Sequence, residues 1–217
     1  MAPFAVIGLG SFGATVATQL IELGHDVIGI DSEKKYVENI SEQVTHAVIA
    51  DATDEHVLDE LNIKNCDAVV VAIGENIEAS ILCVLHLKNI GVEKIWVKAK
   101  SKSHHMILSH LGISKIIHPE EDMGVRIAQS LCYPMVSRYM ALEDNHYIVK
   151  IEIDEKLQGT RSRQLMDQAP DVKTLLHKRG KDVLYSIDPN LILQVGDILV
   201  VEGLVETLRR LSARFKS

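Results

Sequence analysis

The chain has 217 residues, 47% of them hydrophobic and 24% charged, without a low-complexity tract; this is the composition of a soluble globular protein of one large domain or two modest ones. Residues 1–134 carry 10 Lys and Arg against 18 Asp and Glu, and residues 135–217 carry 13 against 12, so a net −8 and +1 underlie the formal −7. An acidic body with only 4% aromatic residues argues against a nucleic-acid partner, which needs a basic footprint and stacking platforms.

The N-terminal stretch MAPFAVIGLG has no basic leader or cleavage region and reads as a first strand, not an export signal. Apolar runs then recur at 4–9, 26–31, 46–50, 67–73, 94–99 and 115–119, each with the length and β-branched content of a buried parallel strand. Candidate helices lie between and after them near 12–23, 33–43, 54–62, 76–90, 103–111 and 120–132. Six strands alternating with helices predict right-handed crossovers and an α/β, Rossmann-like, doubly wound parallel sheet. Gly24 falls where a helix C′ glycine belongs, Ser32 and Asp54 read as N-caps, and the acids after Pro119 suit a helix start. The longest apolar stretches, such as AVVVAI (68–73), are too short to cross a bilayer.

Pro134 interrupts the helical pattern and marks the expected boundary between a domain over 1–134 and a second over 135–217, with 135–145 as a crossover or linker. Beyond it the rhythm changes. Residues 146–153 alternate as a half-exposed strand, 159–168 supply a short helix, and KTLLHKRG and DVLYSI read as two strands around a tight Arg179-Gly180-Lys181 turn. A strand at 196–203 and an amphipathic helix at 204–215 complete a small β-α-β-β-β-α module.

Gly8, Gly10 and Gly13 follow the first strand and open the first helix, the context in which a Gly-x-Gly-x-x-Gly loop gives a tight turn, backbone approach to phosphate and close helix–strand packing. The second strand ends at Asp31, 18 residues after Gly13, where a carboxylate can bind ribose hydroxyls and disfavours a 2′-phosphate. On the same edge of the sheet, Asp51, Ala52 and Thr53 are placed to frame an adenine, and Ala72, Ile73 and Gly74 approach the ligand. Asp51 and Asp54 also suit helix capping, and Lys98 either meets the ligand or ends a strand at solvent.

Other constellations carry less. His104, His105 and His110 lie in or near one helix without the i, i+4 spacing of a helical metal site, and His118 precedes the acids, either beside Glu120 or as a plain surface histidine. Cys66, Cys83 and Cys132 are widely spaced, with no Cys-x-x-Cys, which argues against a disulfide framework or zinc ribbon and fits a reducing compartment; Cys83 reads as core. No nucleophile–base motif such as Gly-x-Ser-x-Gly is present.

FAVIGLGSFG, HAVIADATDE, VVVAIGENIEASI, IWVKAKS and IIHPEEDMG, in this order, closely resemble the KtrA/TrkA-type cytosolic regulatory subunits of the Ktr and Trk potassium-uptake systems, proteins built from RCK domains. The resemblance spans the chain as a TrkA_N lobe followed by a small α+β RCK_C (TrkA_C) module. It implies a non-enzymatic gating subunit that binds ATP, ADP or NAD(H) in the Rossmann lobe. It also implies a homodimer assembling into a homo-octameric ring under a membrane-embedded KtrB/TrkH-type potassium pore subunit. Such a protein is cytoplasmic and peripheral at the inner face of the membrane.

Carried onto this chain, the resemblance puts phosphates at Gly8, Gly10 and Gly13, with Ser11 and Phe12 also nucleotide-binding in the loop, ribose at Asp31, adenine by Asp51 and Ala52, and Lys98 close to the site. It makes Glu120 a ligand of a divalent cation (Mg2+ or Ca2+) near the nucleotide, against the alternative of an acid that complements a helix dipole. Many relatives have Arg where this chain has Ser11. An Arg gives a bidentate phosphate contact that a hydroxyl cannot replace, so weaker discrimination of ATP from ADP, or a preference for a diphosphate or NAD(H), is expected. Cyclic di-AMP, bound by the C-terminal domain of some relatives, has Arg161 and Arg163 as candidate contacts, with two solvated arginines as the alternative.

An apolar stripe along RIAQSLCYPMVSRYM predicts dimers built through residues about 120–142. Two other classes compete. A small NAD-dependent oxidoreductase would need an acid/base group over a nicotinamide, and a redox-sensing transcription factor would need a basic helix-turn-helix segment; neither is apparent in the sequence.

Overall fold

The computed structural model describes residues 3–113, 115–132, 136–142, 145–167, 169, 171–185 and 187–213. The chain divides into two compact units, Met1–Asp122 and Met123–Ser217.

In the first unit β1 (Pro3–Ile7), β2 (Asp26–Asp31), β3 (His46–Ile49), β4 (Ala68–Val71), β5 (Ile95–Lys98) and β6 (Lys115–Ile117) form one parallel sheet in the order β3-β2-β1-β4-β5-β6. The helices α1 (Ser11–Glu22), α2 (Lys34–Ile40), α3 (Glu55–Glu60), α4 (Ile77–Asn89) and α5 (Lys102–His110) make the crossovers, and α6 (Pro119–Cys132) follows β6. This is the expected Rossmann-like architecture. The central strands are buried on both faces: Ala5, Val6 and Ile7 of β1 and Val69 and Val71 of β4 have almost no exposed surface. One core gathers Ile7, Leu58, Val84, Leu87, Val97 and Leu108, and a second gathers Val6, Leu9, Ala17, Val27, Val37 and Ile40.

The strand order reverses between β1 and β4, so the loops after these two strands diverge and open a crevice at the carboxyl edge. Gly24, at φ +86°, ends α1 with its amide donating to the Ile21 carbonyl, and the His25 amide donates to that of Leu20. Asp54 caps α3 by accepting from the His56 amide at 3.0 Å. Ser32 does not cap α2. Glu33 occupies the cap position without a side-chain bond, and the Glu33 amide donates instead to Asp31 Oδ1 at 2.8 Å. The acids expected after Pro119 do occupy the first turn of α6.

In the second unit β7 (Val136–Ala141), β8 (His146–Glu152), β9 (Lys173–Arg179), β10 (Asp182–Leu184) and β11 (Ile198–Leu204) form an antiparallel sheet in the order β10-β9-β11-β8-β7. α7 (Ser162–Met166) and α8 (Val205–Ala213) complete it. The stretch expected as a crossover at 135–145 therefore holds an edge strand, while Pro134 lies outside the described residues. Alternate residues Val149 and Ile151 of β8 and Leu199 and Val201 of β11 enter a core with Leu157, Leu165, Leu193 and Leu208. Among the described residues no helix is long and apolar enough to cross a membrane.

Candidate functional site

The glycine loop is shaped by contact. Gly8 has φ +93°, and a Cβ there would lie 2.9 Å from the backbone of Ala72 and Ile73 in the loop after β4. At Gly13 a Cβ would lie 1.8 Å from the Gly8 carbonyl oxygen, so α1 and β1 can approach this closely only without a side chain. Gly10 is different: a Cβ would have no atom within 4 Å. The space over Gly10 is open, and α1 starts there with no side chain capping its amides. The first-turn amides of Ser11, Phe12 and Gly13 have no partner within the helix and form the positive end of its dipole, an arrangement suited to phosphate. Ser11 itself is exposed.

Asp31 ties this loop to the end of β2. Its Oδ2 accepts from the Leu9 amide at 2.6 Å and its Oδ1 from the Glu33 amide, leaving lone pairs on both oxygens for further donors such as ribose hydroxyls. Asp51 closes a turn after β3: Oδ1 accepts from the Thr53 amide at 2.9 Å and from Thr53 Oγ1 at 2.8 Å, bonds that hold its carboxyl below the usual carboxylate range. Ala52 and Ala72 are buried, so each offers a ligand its backbone rather than its methyl group.

A second cluster forms where the loops after β1, β4, β5 and β6 meet. Lys98 is only 14% exposed, with Nζ 5.8 Å from the centre of the Phe12 ring and paired with Glu120 Oε1 at the start of α6. A Cβ on Gly74 would be 3.4 Å from Lys98 Nζ. The hydrogen bond from Lys98 holds the Glu120 carboxyl below the usual range. Thus Gly8, Gly13, Ala72 and Ile73 meet at one contact, Phe12, Gly74, Lys98 and Glu120 at another, and Asp31 joins the first loop; Asp51 and Thr53 form a separate turn. Lys98 does end β5, but its side chain turns to Glu120 and is largely shielded from solvent.

Fit to the implied groups is uneven. The open space over Gly10, uncapped amides and partly free Asp31 oxygens suit a nucleotide. For a metal, no group of three or more His, Cys, Asp or Glu among the described residues is placed to hold an ion. Glu120 supplies one carboxylate, already engaged by Lys98.

Residues 4–119 match the model of the TrkA-N domain. The chain belongs to the TrkA-N family. It is 41% identical over 208 residues, 95% of its own length and 94% of the relative's, to the Ktr system potassium uptake protein A of Bacillus subtilis (strain 168), and 33% identical over 201 residues, 92% and 91%, to the protein of the same name from Vibrio alginolyticus. Among solved structures, the RCK domain of the GsuK channel shares the fold at a TM-score of 0.64 and 13% identity over 100% of this chain and 48% of that one. The NAD-bound GsuK channel shares it at 0.58 and 13% over 95% and 38%.

Several contacts of this TrkA-N protein have no counterpart in the sequence reading. Lys100 Nζ lies 3.4 Å from Glu75 Oε2, bridging the loops after β4 and β5. His118 turns to His105 rather than to Glu120. Each pair sits on one surface only because β4, β5 and β6 are neighbours in the sheet, which residue spacing does not show. Cys83 is buried, and burial pushes its thiol up to about 12, as a core cysteine requires. In the second unit Arg163 pairs with Asp167 at 3.4 Å on an exposed helix face, and the Arg161 amide donates to Gln164.

Proposed function

We propose that this chain is the nucleotide-sensing regulatory subunit of a Ktr/Trk-type potassium uptake system, in which ligand binding at the carboxyl edge of the parallel sheet gates a membrane-embedded KtrB/TrkH-type pore subunit. The observation that carries it is 41% identity over nearly the whole chain to a Ktr system potassium uptake protein, in a chain whose glycine loop keeps open space above Gly10. The role is sensing, not catalysis: the site offers backbone amides, Asp31, Lys98 and Glu120, groups that bind and orient a charged ligand. A ligand acts on such a gate only through unequal affinity for two conformations.

The ligand is an adenine nucleotide, ATP or ADP, or NAD(H). The loop amides take its phosphates, Asp31 its ribose, and Asp51, Ala52 and Thr53 lie toward its base. Lys98, released from Glu120, is available to a phosphate. A Mg2+ or Ca2+ ion near Glu120 draws its other ligands from phosphate, water or a second subunit. Homodimers form through residues about 120–142, where Met123, Val125, Ile127 and Leu131 are exposed along α6, and assemble into an octameric ring at the inner face of the membrane. Cyclic di-AMP at Arg161 and Arg163 belongs to the same proposal.

Calorimetric titration of the purified chain with ATP, ADP, NADH and cyclic di-AMP tests the ligand. Binding of ADP or NADH at least as tight as ATP is expected from Ser11. A large preference for ATP over both overturns the role given to Ser11, and no binding of any adenine nucleotide overturns the sensor. Native mass measurement showing only monomer, with and without nucleotide, overturns the assembly. Failure to restore nucleotide-dependent potassium uptake with a cognate pore subunit overturns the gating role.

A further inference from the structure

α5 begins with consecutive histidines that are held differently. His104 is 1% exposed and its Nδ1 accepts from the Lys100 amide at 3.3 Å, beneath the loop that follows Lys98. His105 is half-buried, and its Nδ1 lies 2.9 Å from Nε2 of the half-buried His118, just after β6. The ring centres are 5.1 Å apart and the planes 24° from parallel. With the facing nitrogens 2.9 Å apart, that centre-to-centre distance requires the imidazoles to meet edge to edge, one N–H directed at the other's lone pair.

The two ring nitrogens therefore face each other, and both rings are half-buried rather than sealed from solvent. Their backbones are fixed independently: α5 is anchored by buried Leu108, and β6 is paired with β5 from Trp96–Lys115 to Lys98–Ile117. This is a preset pair of donors from two rigid elements, separated by 13 residues in the chain.

We propose that His105 and His118 form a site for a borderline-soft divalent metal ion, Zn2+ in the first instance, bound between His105 Nδ1 and His118 Nε2. Imidazole nitrogen suits Zn2+, Ni2+ and Cu2+, whereas Mg2+ and Ca2+ prefer oxygen, so this site is chemically distinct from any cation at Glu120. Tetrahedral Zn2+ with Zn–N bonds of about 2.0–2.1 Å sets its two nitrogens roughly 3.3 Å apart, about 0.4 Å wider than the hydrogen-bonded pair, and requires each lone pair to swing by roughly 35° off the line between the nitrogens, a change of side-chain rotation at both rings. When both rings are neutral, the donor ring moves its proton to its outer nitrogen through solvent. Both facing lone pairs then bind the metal, and no proton is lost in net. Among the described residues no third protein ligand joins the pair, so the remaining positions take water. Ligation fixes α5 to the start of α6, two residues ahead of Glu120.

The test is calorimetric titration of the tag-free full chain with Zn2+ in the presence of excess Mg2+. One ion per chain is expected, weakened roughly tenfold or more in H105Q and in H118Q and unchanged in H110Q. Absence of Zn2+ binding, or binding unaltered in H105Q and H118Q, or lost equally in H110Q, overturns the proposal. A readout on the unaltered chain covers the case in which a variant does not fold. Ring 15N shifts of His105 and His118 must move on Zn2+ addition, and movement confined to other histidines overturns the site.

Discussion

The two units use charge in opposite ways. In the first, the charged groups of the site stand at the carboxyl edge of the sheet, half-engaged: Asp31 retains lone pairs, Glu120 is largely exposed, and Lys98 is held by one carboxylate. In the second, a charge is sealed inside. Asp197 is 1% exposed, accepting from Arg179 Nε and Nη2 at 2.7 Å each and from the Gln194 amide at 2.9 Å, with His177 Nε2 at 3.3 Å. Burial pushes the Asp197 carboxyl up; the Arg179 fork, the Gln194 amide and His177 outweigh it and hold the group below the ordinary carboxylate range. Arg179 also donates to the Ile192 carbonyl, so the cluster staples the 192–197 loop to β9. Charges left with spare valence are available to a ligand, and charges fully satisfied are structural.

That contrast breaks most visibly at Arg179. Arg179→Ala leaves the buried Asp197 carboxylate without its main counter-charge, and a loss of about 3–5 kcal/mol is expected in chemical denaturation of the second unit. Asp197→Ala is expected to cost less, because Arg179 is 37% exposed and water can take over its hydrogen bonds. Equal losses would mean that the cluster is not organised around the buried carboxylate. Nucleotide affinity of the first unit is expected to be unchanged in both.

The glycine loop separates stability from binding within the first unit. Gly13→Ala sets a methyl 1.8 Å from the Gly8 carbonyl oxygen, so α1 must move from β1, at an expected cost of roughly 3 kcal/mol in thermal or urea unfolding. Gly10→Ala meets nothing within 4 Å and its backbone is already at φ −61°, so its stability is expected within about 0.5 kcal/mol of the parent. Its methyl instead enters the open space where phosphate is proposed to lie, and weaker nucleotide binding in calorimetry is the expected result. A Gly10→Ala chain that binds as tightly as the parent would remove that space from the site.

The same physics decides what was legible beforehand. The six parallel strands could be read because burial on both faces makes them continuous apolar runs, and the backbone cradle because its glycines are themselves the signal. β7 is not legible: among the described residues it pairs with β8 alone, and in the sequence it comes soon after the helical pattern of α6. Ser32 reads as a cap but does not serve as one, because the neighbouring Asp31 side chain takes the Glu33 amide. The direct contacts Lys98–Glu120, Lys100–Glu75 and His105–His118 do not follow from residue spacing, although the resemblance places Lys98 and Glu120 near one site. Each joins residues 13 to 25 positions apart, and only the adjacency of β4, β5 and β6 brings them together.

The smallest expected effect sharpens the comparison from the other side. Lys98–Glu120 joins a nearly buried lysine to a glutamate that is 71% exposed, so solvent screens the pair and its contribution to stability is about 0–1 kcal/mol. The Glu120 carboxyl is lowered in the folded chain by Lys98, so its contribution is fully present above the ordinary glutamate range and is lost as pH falls through the lowered folded value. Glu120→Gln removes that dependence, and the stability difference between variant and parent is expected to shrink as acid protonates Glu120 in the parent. Denaturation curves at neutral and acidic pH measure it. A loss of several kcal/mol at neutral pH, comparable to that of Arg179→Ala, would mean that Glu120 is a structural charge like Asp197. A small loss leaves Lys98 free to exchange one negative partner for another, which is what a ligand phosphate at this edge of the sheet requires.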